Sequence, residues 1–465
     1  MAKNSLYKLY SAVFIAACAA PAVLTPLLKQ DSSAEKRRLS EMPSVISDDG
    51  GLNTAFFGEF DTWFSEHFAF RQQLVNADNR LKTALLRTSP DPDVVCGSDG
   101  WLYYGDTVDD FLNIRQLSKR SISNIAHDLR LVNDYCSANG MKFIFTCVPN
   151  KNSMYPEHMP LNYVPSDGPD NYSMLSGALA DSGFYCDMSS VLHSAASSIP
   201  LYHKTDTHWN NLGAFVAYNG LMTAAGKDPL PVGFDWSSAH DHRGDLAEML
   251  YPAEAPKEQQ VYSAYDFTYS YTSNFHALDD VIIDTACDGR NGSLLMFRDS
   301  FGEAILKYMA ESYGNAEFSR AVPYKLSGRS DNPPDTVIIE IVERNLPNLQ
   351  KNAPVMEAPA AVMPDNVTVS AEKLSHCTEA IAGLTHVFGV LPESFFSGQE
   401  SRILVSCGQN CREAFNICEC DLLGLDDASP YGFSLYVPDT EDVRELTITV
   451  MNNDGHCVSS VSTER

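Results

Sequence analysis

Gly292–Ser312 reads GSLLMFRDSFGEAILKYMAES. Its first six residues, Gly292–Phe297, form a short apolar run of strand length. Ser300 follows almost at once, and Glu303–Ser312 then reads as a helix. In a parallel α/β sheet this order places Ser300 at the carboxyl end of a strand, where active sites form. It also places the hydroxyl at a helix N-terminus, whose free N–H groups can stabilise an oxyanion. The plainer role is that Asp299 or Ser300 only caps the helix.

Working outward, Lys142–Val148 (KFIFTCV) and Thr336–Val342 (TVIIEIV) are two further buried strands. Ser121–Ala138 reads as a helix with Ile122, Ile125, Leu129 and Val132 on one face, stopped by Asn139-Gly140. Strands alternating with helices predict a parallel sheet covered on both faces over residues 91–350. Residues 351–365 (KNAPVMEAPAAVMPD) are rich in Ala and Pro and read as a linker. Short strand-like runs between turn residues follow, so residues 366–465 are expected to form a small β-sandwich, a candidate carbohydrate-binding module.

At the other end, Lys3 and Lys8 precede the uncharged run Leu9–Leu28. That length can just span a bilayer, and the flanking charge keeps the N-terminus cytoplasmic. Residues 1–30 are therefore expected to be a membrane anchor, or a cleaved signal peptide, with the rest extracytoplasmic. Residues 31–90 read as a stalk, with Lys36-Arg37-Arg38, followed by an amphipathic helix carrying Phe57, Phe60, Phe64, Leu74, Leu81 and Leu85. With 33 basic against 60 acidic residues, the formal net charge is −27, which argues against nucleic acid as a partner. Six of twelve cysteines, Cys377, Cys407, Cys411, Cys418, Cys420 and Cys457, cluster near the end of the chain. In an exported protein that clustering favours disulfides.

A serine nucleophile needs a base, and the base needs an acceptor to orient it. His203-Lys204-Thr205-Asp206-Thr207-His208-Trp209-Asn210 supplies both. Asp206 and His208 are two apart, so on an extended segment their side chains lie on the same side. Metal binding by His203 and His208, or a histidine serving only the loop, are the alternatives. Asn150, in Val148-Pro149-Asn150-Lys151, follows a buried strand and carries an amide that could reach an oxyanion; a turn role is equally open.

The set resembles the DHHW family, whose relatives include the alginate O-acetyltransferases AlgX and AlgJ of the SGNH-hydrolase-like superfamily. The matching pieces, in family order, are Asp99–Tyr104, Pro149-Asn150-Lys151 with Tyr155-Pro156-Glu157, and Thr205–Asn210. Gly244-Asp245-Leu246-Ala247, Asp299-Ser300-Phe301 and Glu343-Arg344-Asn345 complete them. The resemblance implies an SGNH-like parallel sheet with Ser300 as nucleophile, His208 as general base and Asp206 as its orienter. Asn150, Arg298, Tyr155 and Trp209 become candidates for oxyanion or substrate contacts. SGNH enzymes usually carry Gly where this chain has Arg298, which either alters the oxyanion hole or adds a positive charge beside it. The activity implied is serine-dependent O-acylation, chiefly O-acetylation, of an exported polysaccharide, without cofactor or metal. A membrane-bound O-acyltransferase is the expected donor partner. The alternatives are a polysaccharide acetylesterase or a non-catalytic exopolysaccharide-binding or assembly protein.

Overall fold

The computed structural model describes residues 2–27, 39–47, 50–86, 88–195, 200–232, 236–329, 332–381, 383–408 and 410–464. Lys36-Arg37-Arg38 and the end of the apolar run, Leu28, lie outside them. The centre is a seven-stranded sheet. Its strands are β1 (Lys142–Val148), β2 (Tyr185–Cys186), β3 (Ser270–Tyr271), β4 (Ile282–Ala286), β5 (Ser293–Phe297), β6 (Asn315–Ser319) and β7 (Thr336–Val342). They lie in the order β2-β1-β7-β5-β6-β4-β3. The pairings from β2 to β6 are parallel, whereas β4 and β3 pair antiparallel at one edge. The sheet is therefore mixed, not wholly parallel as expected. The edge departs because Ile282–Ala286 alternates exposed and buried positions, the pattern of a strand covered on one side only.

Both faces of the centre are covered, and alternate residues go to opposite faces. Ile144, Val148, Met296 and Ile338 join the core under α2 (Asn211–Ala225) and α3 (Gly302–Ser312). Phe143, Phe145, Leu295 and Ile339 join the core under α1 (Lys119–Ala138). The caps agree with the sequence. Ser118 accepts from Ser121 N at the start of α1, and Asn210 accepts from Leu212 N and Gly213 N at the start of α2.

The C-terminal strands form one path in the order Asn410–Ala414, Ser401–Cys407, Glu445–Asn452, Cys457–Glu464, Leu374–Ile381, Leu384–Val390, Gly432–Pro438. Leu374–Ile381 changes partner midway, pairing first with Ser462–Glu464 and then with Leu384–Phe388. A bridge between Phe415 and Ser434 brings the two ends of the path together. In place of two separate sheets there is one sheet nearly closed on itself. The segment expected as a linker is not free: Ala353, Val355, Met356 and Ala358 are 0–4% exposed, and Val355 N donates to Tyr324 O. Its small residues read as linker composition but serve close packing. All twelve cysteines are unpaired, so the expected disulfides do not form. Cys407 instead packs in the C-terminal core, where burial pushes its thiol up to about 12.

Near the N-terminus, Ala2–Leu24 is helical and contains Pro21. Among the described residues no helix is long and apolar enough to cross a membrane. The single amphipathic helix expected next is two helices, Phe56–His67 and Arg71–Leu86, broken where Phe70 adopts φ +65°. Phe57, Leu74 and Leu81 are exposed, and the side chain of Leu85 lies outside the description.

Candidate active site

β5 ends at Phe297, and α3 starts at Gly302, so the turn between them carries Ser300. Asp299 pins this turn. Its Oδ1 accepts from Phe301 N at 2.9 Å, and its Oδ2 accepts from Val342 N at 2.7 Å, tying the serine to the end of β7. Gly302 is required by space: an added Cβ would meet Arg298 Cβ at 2.6 Å.

The histidine loop is fixed more heavily still. Lys151, directly after β1, is buried and donates through Nζ to the carbonyls of His203, Lys204 and Asp206. Burial pulls its pKa down, against nearby carboxylates, to about 8. Glu258 accepts from Lys204 N at 2.8 Å and Thr205 N at 2.9 Å, and Asp245 accepts from Thr207 N at 2.7 Å. Gly244 lies so close to the loop that a Cβ there would sit 2.1 Å from Thr205 O. Trp209 Nε1 donates to Phe301 O at 3.1 Å and joins the two loops.

The result is a hydrogen-bonded chain. Ser300 Oγ lies 2.8 Å from His208 Nε2, and His208 Nδ1 lies 2.8 Å from Asp206 Oδ1. Asp206 also accepts from His208 N, Asp245 N and His242 Nε2. Burial alone would raise the Asp206 pKa, but the two histidines outweigh it and hold the carboxyl well below 3.8. Burial likewise opposes a charged His208, yet Asp206 prevails and its pKa is raised. The side chain of His208 remains 28% exposed, so a substrate can reach it. With Nδ1–H given to Asp206, Nε2 is free to accept the serine proton.

The remaining expected residues divide. Asn150 is buried at the end of β1; its N donates to Glu343 Oε2 at 2.7 Å, and its Oδ1 has no partner. Tyr155 supports from behind, with its hydroxyl accepting from Leu201 N and its ring 4.6 Å from that of Trp101. Arg298 donates to Asp299 O and Leu278 O and lines a separate cavity of about 180 Å³ with Arg320 and Glu340. Its Nη1 and Nη2 thus donate to backbone carbonyls and not to Ser300 Oγ, while its buried Nε has no partner. The cation facing the site is Arg344, which lies over the rings of Tyr104 and Phe301 at 5.6 and 5.7 Å. Its buried Nη1 has no partner, and its charge opposes protonation of His208. Nearby, burial pushes Asp110 up to about 6, against a hydrogen bond from Asn150.

His203 and His208 do not converge on one ion. Two sets, His203/His242/Glu258 and Asp206/His208/Asp245, each bring three donor atoms within 4.8 Å. The rings of His203 and His242 stack at 3.7 Å and 11°, so their in-plane lone pairs run side by side and do not meet. In the second set the His208 nitrogen is the one held by Asp206. Sequence reading assigned no role to Lys151, Asp245, His242 or Arg344. Lys151, Asp245 and Arg344 stood in matched motifs, whereas His242 did not.

Residues 94–282 match the family model described as SGNH hydrolase-like domain, acetyltransferase AlgX. The expected resemblance holds. The matched stretch contains Asp206 and His208 and ends before Ser300. A probable alginate O-acetylase AlgJ from Pseudomonas syringae pv. tomato is 35% identical over 184 residues, covering 38% of this chain and 45% of that protein. Its counterpart from Pseudomonas fluorescens is 25% identical over 327 residues, covering 65% of this chain and 81% of that protein. The chain thus spans less than half the length of the first of these relatives. Among solved structures, Bacillus cereus PatB1 aligns at 16% identity with a TM-score of 0.43, covering 53% of this chain and 95% of that one.

Proposed function

We propose that this chain is a serine-dependent O-acyltransferase, chiefly an O-acetyltransferase, acting on an exported polysaccharide. The observation that carries the reading is the Ser300–His208–Asp206 chain, with both links at 2.8 Å, at the carboxyl end of β5 and the start of α3. The similarity to alginate O-acetylases supports the reaction class.

The chemistry follows from the geometry. Ser300 Oγ attacks the carbonyl carbon of an acyl ester or thioester donor while His208 Nε2 takes its proton. The tetrahedral oxyanion forms beside the N-terminus of α3, whose dipole favours negative charge. Its collapse breaks the bond to the donor, whose leaving group takes the proton from His208. A sugar hydroxyl then gives its proton to His208 and attacks the acyl-serine. The second collapse releases the O-acylated sugar and returns the proton to Ser300. Asp206 keeps the imidazole in the correct tautomer throughout. Water in place of the sugar gives an acetylesterase with the same first half-reaction.

Arg344 suits an anionic sugar. Its guanidinium lies over Tyr104 and Phe301 and close enough to His208 for its charge to act there, which favours an anionic sugar beside it. The finer placements belong to the same proposal. Residues 91–350 form the SGNH-like catalytic domain around the parallel strands, and residues 366–465 flank it. A cleft of about 550 Å³ between α1 and the C-terminal strands, with Arg130, Arg402 and Asn452, is the place for a bound polymer. Its lining includes none of Ser300, His208 and Asp206. N-terminal tethering and an extracytoplasmic location, on the strength of the apolar run Leu9–Leu28, and a membrane-bound acyltransferase as donor, on the strength of the family resemblance, complete the reading.

The test is acetyl release from 4-nitrophenyl acetate, with and without an oligouronate acceptor. The expected result is an acetylated Ser300 visible by mass spectrometry and transfer exceeding hydrolysis when acceptor is present. Equal activity in Ser300→Ala would discard the enzyme reading in favour of a binding protein.

A further inference from the structure

Asp206 has two carboxylate oxygens and two histidines. Its Oδ1 takes His208 Nδ1 at 2.8 Å, and its Oδ2 takes His242 Nε2 at 3.1 Å. A serine–histidine pair needs only the first. The second histidine comes from a different element, the strand Trp236–Arg243, which pairs antiparallel with Lys257–Ser263. The register of that pair shifts between His240 and His242. Such irregularities re-aim a side chain, often beside an active site.

The ring of His242 is held from behind. It stacks on buried His203 at 3.7 Å and 11°. His203 Nε2 lies 3.0 Å from Gln260 Nε2, so the amide donates and the proton of His203 sits on Nδ1, toward Glu258 Oε2 at 3.7 Å. Glu258 is itself anchored to the backbone of Lys204 and Thr205. A stacked, buried partner on one face and a carboxylate at the tip leave the His242 imidazole little freedom.

We propose that His242 is a positioning residue for acyl transfer. Its Nε2–H holds Oδ2 of Asp206, fixes the plane of the carboxylate, and leaves Oδ1 as the acceptor for His208. The proposal rests on the reading of Ser300 as nucleophile. It also accounts for the ribbon itself: Trp236–Arg243 and Lys257–Ser263 bring in His242, Glu258 and Gln260 together. Asp245 N, at 3.1 Å, holds the same oxygen from the short helix Asp245–Leu250, so Oδ2 has two donors from two elements. A carboxylate held on both oxygens cannot rotate away when the imidazolium forms, and orientation of the base is what the acceptor contributes.

Steady-state kinetics on the full chain with 4-nitrophenyl acetate test it. His242→Phe is expected to lower kcat about tenfold, the weight of a lost hydrogen bond to a charged group, at unchanged KM. His242→Gln, whose amide N–H reaches the same oxygen, is expected to recover most of the loss. On an Asp206→Asn background, His242→Phe is expected to cost little more, because the two act through one carboxylate. A wild-type kcat in His242→Phe, or equal loss in the Phe and Gln variants, would overturn the proposal. Fully additive losses with Asp206→Asn would do the same. If His242→Phe fails to fold, the Gln variant and its double mutant carry the test. Activity surviving in Ser300→Ala would instead overturn the nucleophile reading and leave these outcomes distinct from it.

Discussion

The molecule contains two serine–histidine–carboxylate chains of similar geometry, one in the α/β region and one in the C-terminal region. In the first, Ser300 Oγ lies 2.8 Å from His208 Nε2, and His208 Nδ1 lies 2.8 Å from Asp206. In the second, Ser434 Oγ lies 2.8 Å from His386 Nε2, and His386 Nδ1 lies 3.2 Å from Glu379. Distances alone do not tell them apart. Access does: the His208 side chain is 28% exposed, against 1% for His386. The direction of the proton does so as well. Ser434 donates to Glu419 Oε1 at 2.7 Å, so His386 cannot be the base that removes that proton. Ser434 also sits within a strand, Gly432–Pro438, with no helix start beside it to receive an oxyanion. The comparison teaches that three residue types at bonding distance do not suffice: position at a strand end and exposure of the histidine set the proposed site at Ser300 apart from Ser434.

The sharpest way to break this contrast is to remove each serine. Ser300→Ala is expected to abolish the acyl-enzyme, read as loss of the acetyl adduct by mass spectrometry, while Ser434→Ala keeps it. The next largest effect comes from Asp206. Asp206→Asn is expected to lower kcat by up to about 10⁴-fold, through loss of the correct tautomer and orientation. The pH profile gives the sign. His208 must be neutral at Nε2 to accept the serine proton, and its pKa is raised above 6.5 because Asp206 outweighs burial. Activity should therefore rise with pH through a limb lying above 6.5. Asp206→Asn removes that support, so the limb should move to lower pH as the rate falls. A limb that stays in place would show that Asp206 does not hold His208.

The same contrast shows what was legible in the chain. That Ser300, His208 and Asp206 come together was legible because their local context was strong: an apolar strand before a serine, and an Asp-x-His pair before an Asn-capped helix. Strands β1, β5 and β7 were legible because full burial makes them continuous apolar runs. The strand edge Ser270–Tyr271 with Ile282–Ala286 was not, since short, half-exposed strands lack such a run. Ala353–Ala358 misled because extended buried backbone and a flexible linker share the same small residues. The C-terminal cysteines misled because apolar packing selects cysteine as readily as oxidation does. His242 stayed hidden because nothing in the local sequence WSSAHDHR says which of its histidines a register shift will turn inward.

Lys151 offers a smaller but two-sided test. Lys151→Met keeps the apolar stem and removes the donor to the carbonyls of His203, Lys204 and Asp206. Stability is expected to fall by about 2–3 kcal/mol, and kcat by about tenfold as the histidine loop loosens. Urea unfolding across pH supplies a second readout. In the unfolded chain this amine keeps its proton to about 10.4, whereas in the folded chain burial brings the pKa to about 8. Between those values the unfolded state binds more protons, so this group's contribution to stability rises with pH. Lys151→Met should lack that rise; an unchanged pH slope would show that Lys151 titrates normally.

The smallest expected effect on turnover is the one that sharpens the comparison most. Ser434→Ala removes a hydroxyl that is fully buried between His386 Nε2 and Glu419 Oε1. Both partners stay behind in the core with one bond fewer, and neither can turn to water, since their side chains are 1% and 5% exposed. Ala353 N still donates to Glu419 Oε1 at 3.0 Å, and Glu379 still faces His386 Nδ1, so the loss is partial. Leaving buried polar groups unpaired costs about 1–3 kcal/mol. The expected outcome is a lower midpoint in urea with an unchanged slope, together with wild-type kcat and KM. Replacing the serine with Thr would keep the hydroxyl but add a methyl where Ser434 is 0% exposed, so the alanine is the cleaner probe. A fall in kcat at full folding would mean that the buried chain communicates with Ser300 through the C-terminal residues that pack on the core under α1, Phe415, Ile417 and Tyr436. Unchanged kinetics with lowered stability would establish that one chain serves chemistry and the other serves packing.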